Sequence, residues 1–420
     1  GLTKARAERT TVHAHTRRSS DHDALPMLVA AAAAPLTFGT PCPAPNVTKI
    51  DFVEAHSLTL VNSHFDADPV KRFPYHRLPA AAEGVVRSSI WDLSLQTAGF
   101  AVAFETDAAV RSIYVEYNLT HESLGMVHMP ATGVSGADLW AQDPASGTWR
   151  WVGTTAPSAT HVCQQLAALQ PPGTAGAVHP TRWLLYFPLY NGVSTLRIGV
   201  PAGAGGPPTP CAGDCGGLGL TSKPIVWYGS SIAQGACASK PGDAYTNAIS
   251  RALRRPVSNF GFSGNCFFET DVMRYLLEVD AAAYVVDCDP NSDARGPDFV
   301  YNSSLALGRL MLSTKPSAAI VVVSGTKEGA VWLQGDDTEH ARGNAAIRKA
   351  YAALAAEFPR ARLTLVDGDG IYAQQPEDEH VFWEMTVMGT HPSSLGMERF
   401  TRFWVPKLQK LLAPAVEESV

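Results

Sequence analysis

The sequence predicts two folded domains, an all-β sandwich followed by an α/β domain built on a parallel sheet. In residues 46–204, short apolar runs recur between Gly, Pro, Asp and Asn turns, a spacing that is typical of a sandwich. In residues 224–415, strand-like apolar runs alternate with stretches of helical periodicity, which indicates a parallel sheet covered by helices on both faces. Residues 205–223 are rich in Gly and Pro and are predicted to link the two domains.

The strands of the first domain are predicted from an imperfect alternation of apolar and polar residues, visible in residues 113–117. The predicted strands of the sandwich are residues 100–104, 110–117, 149–152, 183–187 and 195–200. The predicted strands of the second domain are residues 225–228, 257–260, 283–287, 319–324 and 363–366. The predicted helices are residues 244–254, 269–279, 304–312, 339–357 and 397–412.

Length and composition limit the class of protein. The chain has 420 residues, of which 45% are hydrophobic and 17% are charged, so it is long enough for two domains of ordinary size. A formal net charge of −6 argues against a nucleic-acid partner, because such proteins usually present a basic face. The sequence contains no phosphate-binding loop, no dinucleotide fingerprint and no zinc motif, so no cofactor and no metal are predicted.

Residues 1–40 are predicted to be a leader rather than part of a folded domain. Basic residues precede an alanine-rich apolar stretch, residues 24–38, which is too short to span a bilayer, and no transmembrane segment is predicted. This pattern resembles a secretory signal. Asp21 and Asp23 lie close to the apolar stretch, so a disordered leader or an organelle transit peptide remains an alternative. The sequons at Asn46, Asn118 and Asn302 are compatible with a secreted glycoprotein.

The seven cysteines form no pair with zinc spacing, and disulfides are expected if the protein is secreted. An odd number leaves one cysteine unpaired. Cys237 and Cys266 follow two of the polar blocks described next, so a bridge between them is one possibility, although connectivity cannot be derived from sequence.

Four polar blocks follow or begin just after apolar runs of the second domain. They are Gly229-Ser230-Ser231, residues 259–265 with Gly264, residues 287–291 with Asn291, and residues 391–396 with His391. Because open α/β folds place their chemistry at the carboxyl ends of parallel strands, these residues are expected to gather along one edge of the sheet. A Gly-Ser turn alone is ordinary, but four such blocks in one order point to a site.

In this order the blocks resemble the SGNH hydrolase family, also called GDSL esterases. The resemblance implies a flavodoxin-like domain with Ser231 as nucleophile and His391 as general base. It further implies an oxyanion hole made by the backbone N–H groups of Ser231 and Gly264 and the side chain of Asn291. These residue types suit the reaction, because a serine hydroxyl needs an adjacent base and the developing oxyanion needs preorganised donors.

The last block departs from the family pattern Asp-x-x-His, since Met388 lies three residues before His391. A thioether cannot orient an imidazole or stabilise an imidazolium. Three hypotheses follow: a Ser–His dyad oriented by a backbone carbonyl, a substitute carboxylate, or a protein that has lost catalysis. The candidate substitute carboxylates are Glu384, Asp367 and Asp369.

The first domain resembles the β-sandwich, or jelly roll, that precedes certain SGNH hydrolases. Residues 136–140 resemble its Gly-x-Asp-Leu-Tyr motif, with Trp140 in place of tyrosine. Residues 73–79, 128–130 and 186–191 resemble other segments of that family, so the resemblance covers residues 50–412. Sandwich domains of related carbohydrate esterases often help to form the wall of the active site.

Several residues have both a structural and a functional interpretation. The aromatic residues Trp140, Trp149, Trp151 and Tyr190 could form a sugar-stacking surface, but core packing is favoured. Asp287 and Asp289 could indicate a metal, but the sequence supplies no further ligands and a loop-structuring role is favoured. Lys327 and Glu328 could line the substrate pocket, but a surface pair is favoured. The sandwich histidines His76, His121 and His128 are interpreted as structural or exposed.

The resemblance and the residues together predict a serine esterase acting on short acyl groups, with acetyl on a carbohydrate favoured and a small-molecule ester also possible. A catalytically impaired carbohydrate- or ligand-binding protein is the main alternative, because Met388 replaces the aspartate. A lipid-type acylhydrolase or a thioesterase is a further alternative, since no segment of the sequence indicates the length of the acyl chain.

Overall fold

The structure is a computed structural model that describes residues 39–65, 74–171, 173–325, 338–372 and 383–413. The leader up to residue 38 and the predicted surface pair Lys327 and Glu328 lie outside the described residues. The described residues belong to one compact unit, in which a β-sandwich and an α/β domain pack together.

The β-sandwich consists of two antiparallel sheets. The strands in chain order are β1 (Thr40–Pro41), β2 (Ile50–Glu54), β3 (Thr59–Val61), β4 (Ala101–Glu105), β5 (Ser112–Leu119), β6 (Asp138–Gln142), β7 (Trp149–Thr154), β8 (His161–Ala168), β9 (Arg182–Tyr186), β10 (Val193–Pro201) and β11 (Thr209–Pro210). One sheet has the order β1-β8-β5-β10-β2, and the other has the order β11-β4-β9-β6-β7 with β3 also paired to β4. The predicted sandwich is therefore confirmed, with all five predicted strands close to their expected positions.

Apolar side chains from both sheets form the core of the sandwich, and its largest fully buried members include Phe104, Tyr117 and Trp183. The sandwich extends beyond the predicted limits of residues 46 and 204. Thr40–Pro41 pairs with β8, and Thr209–Pro210 pairs with β4, because both short segments complete exposed edges of the sheets. The Gly- and Pro-rich residues 205–223 thus contribute a strand as well as a connection.

Two short helices of the first half lie outside the sheets, α1 (Ser88–Ser94) and α2 (Ala131–Val134). The strands of the α/β domain are β12 (Ile225–Gly229), β13 (Val257–Gly261), β14 (Ala283–Asp287), β15 (Ala319–Ser324) and β16 (Leu363–Asp367), followed by the hairpin β17 (Thr386–Val387) and β18 (His391–Pro392). Its helices are α3 (Ser231–Gln234), α4 (Tyr245–Leu253), α5 (Thr270–Leu276), α6 (Asp289–Ser292), α7 (Pro297–Thr314), α8 (Thr338–Glu357) and α9 (Ser394–Leu412). The predicted order of strands and helices is confirmed.

The five strands β12 to β16 form a parallel sheet in the order β13-β12-β14-β15-β16. Every residue of β12 to β15 is buried, as expected for strands covered by helices on both faces. Gly229 at the end of β12 pairs with Gly261 on one side and Asp287 on the other. The carboxyl ends of three neighbouring strands therefore lie at the same level.

Asp138, the aspartate of the Gly-x-Asp-Leu motif, joins the sandwich to the α/β domain. Its side chain is fully buried and accepts hydrogen bonds from Trp140 Nε1 at 2.9 Å, Trp151 Nε1 at 2.8 Å and Thr154 Oγ1 at 2.7 Å. It also accepts a hydrogen bond of 2.9 Å from the backbone N–H of Gly242 in the α/β domain. The motif therefore orients two tryptophans and binds the neighbouring domain.

The aromatic residues considered for sugar stacking have structural contacts. The Arg251 guanidinium lies 3.7 Å from the ring centroid of Trp140. Trp149 packs against a buried cluster beside the disulfide Cys211–Cys215. Trp151 is 41% exposed, yet its N–H is bonded to Asp138. The favoured core packing is therefore found for Tyr190 and, partly buried, for Trp140 and Trp149, and is wrong for the exposed Trp151.

A buried arginine makes the second connection between the domains. Arg77 is 3% exposed and donates to the carbonyl oxygens of Gln96 at 2.9 Å, Leu93 at 2.6 Å and Gly261 at 2.6 Å. Burial lowers the pKa of Arg77 to about 9, so the guanidinium remains charged at neutral pH. Because Gly261 ends β13, this contact fixes the start of the loop that carries Gly264.

Six of the seven cysteines form three disulfides, Cys42–Cys163, Cys211–Cys215 and Cys266–Cys288. The bridge considered between Cys237 and Cys266 is wrong, because Cys266 pairs with Cys288 and Cys237 is a buried free thiol. The pairing joins the loop after β13 to the end of β14, which are adjacent to β12 on opposite sides. In the part of the chain that the structure describes, no helix has the length and apolar character needed to cross a membrane.

Replacing Asp138 by asparagine is expected to lower the free energy of unfolding by about 3 kcal/mol, because one carboxylate oxygen becomes an NH2 group that faces buried donors. Urea denaturation of the full chain measures the change. The matched control is Asp214→Asn, since Asp214 is exposed and its side chain forms no hydrogen bond or ion pair with another described residue. Equal stability of the two variants would contradict the role assigned to Asp138.

Candidate active site

Ser231 lies directly after β12, at the first residue of α3. The preceding Ser230 caps this short helix, its side-chain oxygen accepting a 3.3 Å hydrogen bond from the N–H of Ile232. Ser231 Oγ lies 2.9 Å from Nε2 of His391, and the Tyr190 hydroxyl donates to the carbonyl oxygen of Ser231 at 3.1 Å. The structure therefore brings together the predicted nucleophile and the predicted base.

His391 begins β18, the second strand of a small hairpin that immediately precedes α9. It pairs with Val387 of β17 across a turn of three residues, 388–390. Ser393 follows, with its N–H bonded to the Met385 carbonyl at 2.8 Å and its side chain capping α9. Because the hairpin and the cap fix the backbone on both sides, the imidazole is held against Ser231.

No described residue forms a hydrogen bond with Nδ1 of His391, which is buried. Met388 is 68% exposed and adopts a left-handed backbone conformation with φ of 56° in the hairpin turn. None of the three candidate carboxylates forms a hydrogen bond with Nδ1 of His391. Asp367 pairs with Arg348 at 3.0 Å, Asp369 bonds His340 at 2.9 Å, and Glu384 is exposed.

None of the three candidate carboxylates is therefore placed at His391, and the backbone carbonyl expected in the dyad hypothesis is not found among the described residues either. The imidazole is held instead by its contact with Ser231 and by packing. This arrangement is a Ser–His pair whose second ring nitrogen faces a buried, unpaired position.

His128 of the sandwich packs against the predicted base. The two imidazole rings lie 5.6 Å apart between centroids and are inclined by 26°. Sequence reasoning interpreted His128 as structural or exposed, and its position beside the candidate site was missed. The only sequence signal was its place in residues 128–130, a segment that resembles the family sandwich. The resemblance predicted that the sandwich would help to form the wall of the site, and His128 is such a contribution.

Two effects lower the pKa of His391 below its usual range. Burial disfavours the charged imidazolium, and repulsion from His128 adds to this effect. The neutral imidazole is therefore the main form at pH 7, and a neutral Nε2 can accept a proton from the Ser231 hydroxyl. Where the sequence resemblance implies a carboxylate, the structure provides a base that is neutral because of its surroundings.

The predicted oxyanion-hole residues follow the two strands on either side of β12. Gly264 has φ of 68°, is exposed, and has open space where a Cβ would be placed. The side-chain oxygen of Asn291 accepts a 3.2 Å hydrogen bond from the N–H of Cys266. This bond occupies the amide oxygen, so the NH2 group is the part of the Asn291 side chain left to donate to a substrate. The disulfide Cys266–Cys288 joins the two segments that carry these residues.

Two buried amides near the site were not assigned a role by sequence reasoning. Gln234 donates to the carbonyl oxygen of Leu189 at 3.1 Å and accepts from the N–H of Ser263 at 3.0 Å, so it joins the sandwich to the loop before Gly264. Asn259 donates to the carbonyl oxygen of Ala233 at 2.6 Å. Each amide links the segment of Ser231 to the segment of residues 259–265. The sequence signal that could have identified them was their position within or beside these two polar blocks.

One group of possible metal ligands includes the base itself. Donor atoms of His128, Cys237 and His391 lie within 4.8 Å of one another. Burial raises the pKa of Cys237 to about 11, so its thiol is protonated at neutral pH and is a poor ligand. The arrangement of this group fits proton transfer by His391 better than metal binding.

Comparison with known families assigns both domains. The GDSL-like lipase/acylhydrolase family matches residues 222–409, and the family described as the N-terminus of SGNH hydrolase-type esterases, GxDLY, matches residues 50–205. The two matches follow each other along the chain and together cover most of it. The chain belongs to the GDSL-like SGNH hydrolases. As a member of this family it is a carboxylic ester hydrolase.

Solved structures share the whole two-domain fold of this GDSL-like hydrolase. A protein from Bacteroides ovatus described as a GDSL-like lipase is 26% identical, with a TM-score of 0.73 over 86% of this chain and 98% of that one. A salicylyl-acyltransferase from a tetracycline biosynthetic pathway is 16% identical, with a TM-score of 0.62 over 86% and 97%. An acetyl xylan esterase from Butyrivibrio proteoclasticus is 10% identical, with a TM-score of 0.50 over 86% and 98%. No sequence among the curated proteins matches this chain.

Replacing His128 by glutamine is expected to raise the pKa of His391, because a neutral amide removes the repulsion while leaving the imidazole covered. The acid limb of the kcat/KM profile for p-nitrophenyl acetate, expected below pH 6.5 in the wild type, should then move to higher pH. His121→Gln is the control, since His121 is an exposed histidine of the same sandwich. An unchanged acid limb in His128→Gln would contradict an electrostatic effect of His128.

Proposed function

We propose that this GDSL-like hydrolase removes short acyl groups, acetyl in particular, from ester substrates through an acyl-enzyme intermediate on Ser231. The observation that carries the proposal is the 2.9 Å contact between Ser231 Oγ and His391 Nε2. A binding protein that had lost catalysis would not need to keep this contact, the exposed Gly264 and the oriented Asn291 together.

The reaction has two halves. In the first, Ser231 Oγ attacks the carbonyl carbon of the ester while His391 Nε2 accepts the hydroxyl proton. The tetrahedral oxyanion is stabilised by the N–H groups of Ser231 and Gly264 and by the Asn291 amide. The intermediate collapses, the bond to the alcohol oxygen breaks, and His391 gives its proton to that oxygen. In the second half, water repeats the attack on the acyl-enzyme and restores Ser231.

His391 acts in this scheme without a carboxylate partner. Burial and His128 lower the pKa of His391, so the imidazole is neutral at pH 7, whereas a carboxylate partner would raise this pKa. The same environment disfavours the imidazolium that forms in the transition state, so the rate is expected to be below that of a complete Ser-His-Asp triad. The fixed hairpin of β17 and β18 supplies the orientation that the aspartate would otherwise provide.

The proposal of a short acyl group rests on the family resemblance and on access to the nucleophile. Ser231 is only 7% exposed, which favours a small group at the reacting carbon. His128 packs on His391 beside the nucleophile, and these polar side chains suit a hydrophilic alcohol such as a sugar better than a lipid. A carbohydrate ester is therefore the substrate class that we propose.

We further propose that the protein passes through the secretory pathway. Three disulfides within the described residues support this, because such bonds persist mainly in oxidising compartments. The basic and apolar leader in the sequence supports the same proposal.

A fluorophosphonate probe is expected to label the wild type at Ser231, because the probe reacts only with an activated serine. Ser231→Ala should lose both labelling and hydrolysis of p-nitrophenyl acetate, as measured by gel fluorescence and absorbance. Ser230→Ala is the matched control, since Ser230 is the neighbouring serine and caps α3 with its hydroxyl. A folded wild type that neither labels nor hydrolyses the ester would favour the binding-protein alternative.

The same hydrolysis assay with p-nitrophenyl esters of longer acids tests which acyl chain length the enzyme prefers. Acetate and propionate esters should be hydrolysed with kcat/KM at least about tenfold above octanoate, a ratio that corresponds to roughly 1.4 kcal/mol in the transition state. A preference for octanoate would support a lipid-type acylhydrolase instead. Comparing the rate of acetate release from acetylated xylan with that from p-nitrophenyl acetate tests whether a carbohydrate ester is a substrate.

Replacing Met388 by aspartate is expected to raise kcat/KM less than about tenfold, because the base is already neutral and oriented. Met388→Asn is the matched control, since asparagine tolerates the left-handed backbone equally well but carries no charge. Kinetics of both variants with p-nitrophenyl acetate measure the effect. A gain of about 1,000-fold for aspartate alone would show that the wild type lacks a working dyad.

A further inference from the structure

A second cluster of ionisable side chains lies beyond the catalytic pair. Asp289 opens α6, Asp293 begins the following 3-10 turn, and His340 lies in the first turn of α8. One donor atom from each of the three residues lies within 4.8 Å of the other two. Sequence reasoning considered Asp289 together with Asp287 and found no further ligands, because His340 is about fifty positions away along the chain.

The Asp289 carboxylate requires a positive partner. Its side chain has 0% exposure, and neither of its oxygens has a hydrogen-bond partner among the described residues. Oδ1 of Asp293 is also buried and unpaired in the described part of the chain. Burial and the neighbouring Asp293 raise the pKa of Asp289 well above its usual range, so without a cation its carboxyl group is protonated. A cation between the two side chains would instead bind three oxygens of ionised carboxylates at once.

His340 is oriented as a metal-binding histidine usually is. Its Nε2 lies 2.9 Å from Oδ1 of Asp369 and 3.0 Å from Nδ2 of Asn344. In the tautomer that a metal on Nδ1 requires, Nε2 carries the proton and donates to the Asp369 carboxylate. Its Nδ1 then presents a lone pair toward Asp293 and Asp289. Histidines that bind metals almost always donate their other ring N–H to a carboxylate or carbonyl, which fixes the tautomer and the ring.

The distances within the cluster fit ligands around an ion better than direct hydrogen bonds. Nδ1 of His340 lies 3.5 Å from Oδ2 of Asp293 and 3.9 Å from Oδ2 of Asp289. Both distances exceed ordinary hydrogen-bond lengths. Ligand atoms at about 2.1 Å from a tetrahedral or octahedral ion are separated by roughly 3.0 to 3.4 Å, so a small closure of the cluster would complete the coordination.

Two glycines allow the backbone to approach these carboxylates. A Cβ at Gly325 would lie 1.7 Å from Oδ2 of Asp289, and one at Gly343 would lie 2.1 Å from Oδ1 of Asp293. Any larger residue would fill the space beside the unpaired oxygens. The cluster is therefore enclosed by backbone on two sides.

We propose that Asp289, Asp293 and His340 form a binding site for a divalent metal ion, Mn²⁺ or Zn²⁺. The mixture of carboxylate oxygens and one imidazole nitrogen favours these ions over Mg²⁺ and Ca²⁺, which prefer oxygen ligands alone. Asp369 is the residue that orients the imidazole.

The site is connected to the proposed reaction through the chain. Asn291 lies between Asp289 and Asp293, in the same turn, so an ion at the cluster would fix the segment that carries the Asn291 amide. This consequence rests on the proposed function, whereas binding of the metal does not. The ion is expected to stabilise the fold and to raise esterase activity without taking part in the chemistry.

A proton is the competing occupant. Burial alone would lower the pKa of His340, but its interactions with the carboxylates of Asp293, Asp369 and Asp289 raise this pKa to about 10. An imidazolium at this position would partly compensate the carboxylates with no metal present. Direct binding measurements separate the two occupants.

Calorimetric titration of the chelator-treated full chain with MnCl2 and with ZnCl2 tests the proposal. We expect one ion per chain and a higher Tm with the ion bound. His340→Gln and Asp293→Asn should each weaken binding at least about tenfold, and Asp369→Asn should weaken it through the imidazole. Asp367→Asn is the matched control, since Asp367 lies two residues before Asp369 but pairs with Arg348.

The outcomes separate the alternatives. No saturable binding of either ion by the folded wild type would overturn the proposal in favour of the proton. Binding that survives in His340→Gln and Asp293→Asn would place the ion elsewhere, and repeating the Zn²⁺ titration in His128→Gln would show whether it lies beside His391. Tight Ca²⁺ binding unaffected by His340→Gln would overturn the imidazole as a ligand. Because these readouts need no ester, they can fail or succeed independently of the proposed esterase activity.

Discussion

Three neighbouring parallel strands, β12, β13 and β14, end at the same level of the sheet. The geometry of the active site depends on this constraint. Gly229 pairs with Gly261 on one side and with Asp287 on the other, so β12, β13 and β14 leave the sheet together. A Cβ at Gly261 would lie 2.1 Å from the backbone nitrogen of Gln234, so the end of α3 can pack against β13 only at a glycine. The predicted site residues that follow these strands are Ser231, Gly264 and Asn291. Their proximity results from sheet register before any side chain interacts.

The sandwich contributes directly to the site through buried polar groups. Arg77 binds the carbonyl at the end of β13, and Asp138 binds the backbone of the loop before α4. Tyr190 bonds the carbonyl of the nucleophile, and His128 packs on the base. Each group makes at least one contact across the interface, so the packing of the two domains and the geometry around Ser231 depend on each other. This dependence explains why the domains form one compact unit.

Two histidines show how the surroundings decide the protonation state. His391 has no carboxylate partner among the described residues, and burial together with His128 lowers its pKa. His340 faces several carboxylates, which raise its pKa to about 10 despite burial. The first histidine is thereby suited to accept a proton, and the second to hold a positive charge or, as we propose, a metal ion. With Met388 in place of the aspartate, the base is neutral, but the imidazolium that forms during the reaction lacks a stabilising carboxylate among the described residues.

The sequence by itself determined the two domains, the strands of the parallel sheet, and the residues Ser231 and His391, because each depends on local periodicity or on a short motif. It also carried the family resemblance, since the blocks keep their order along the chain. Only the tertiary structure decided the partner of Cys266, the positions of His128 and His340, and the lack of a hydrogen bond between Nδ1 of His391 and any described residue. These features join segments tens to hundreds of residues apart, and no local pattern records which distant side chains meet. Contacts across an interface are set by packing and burial, which exist only in the folded chain.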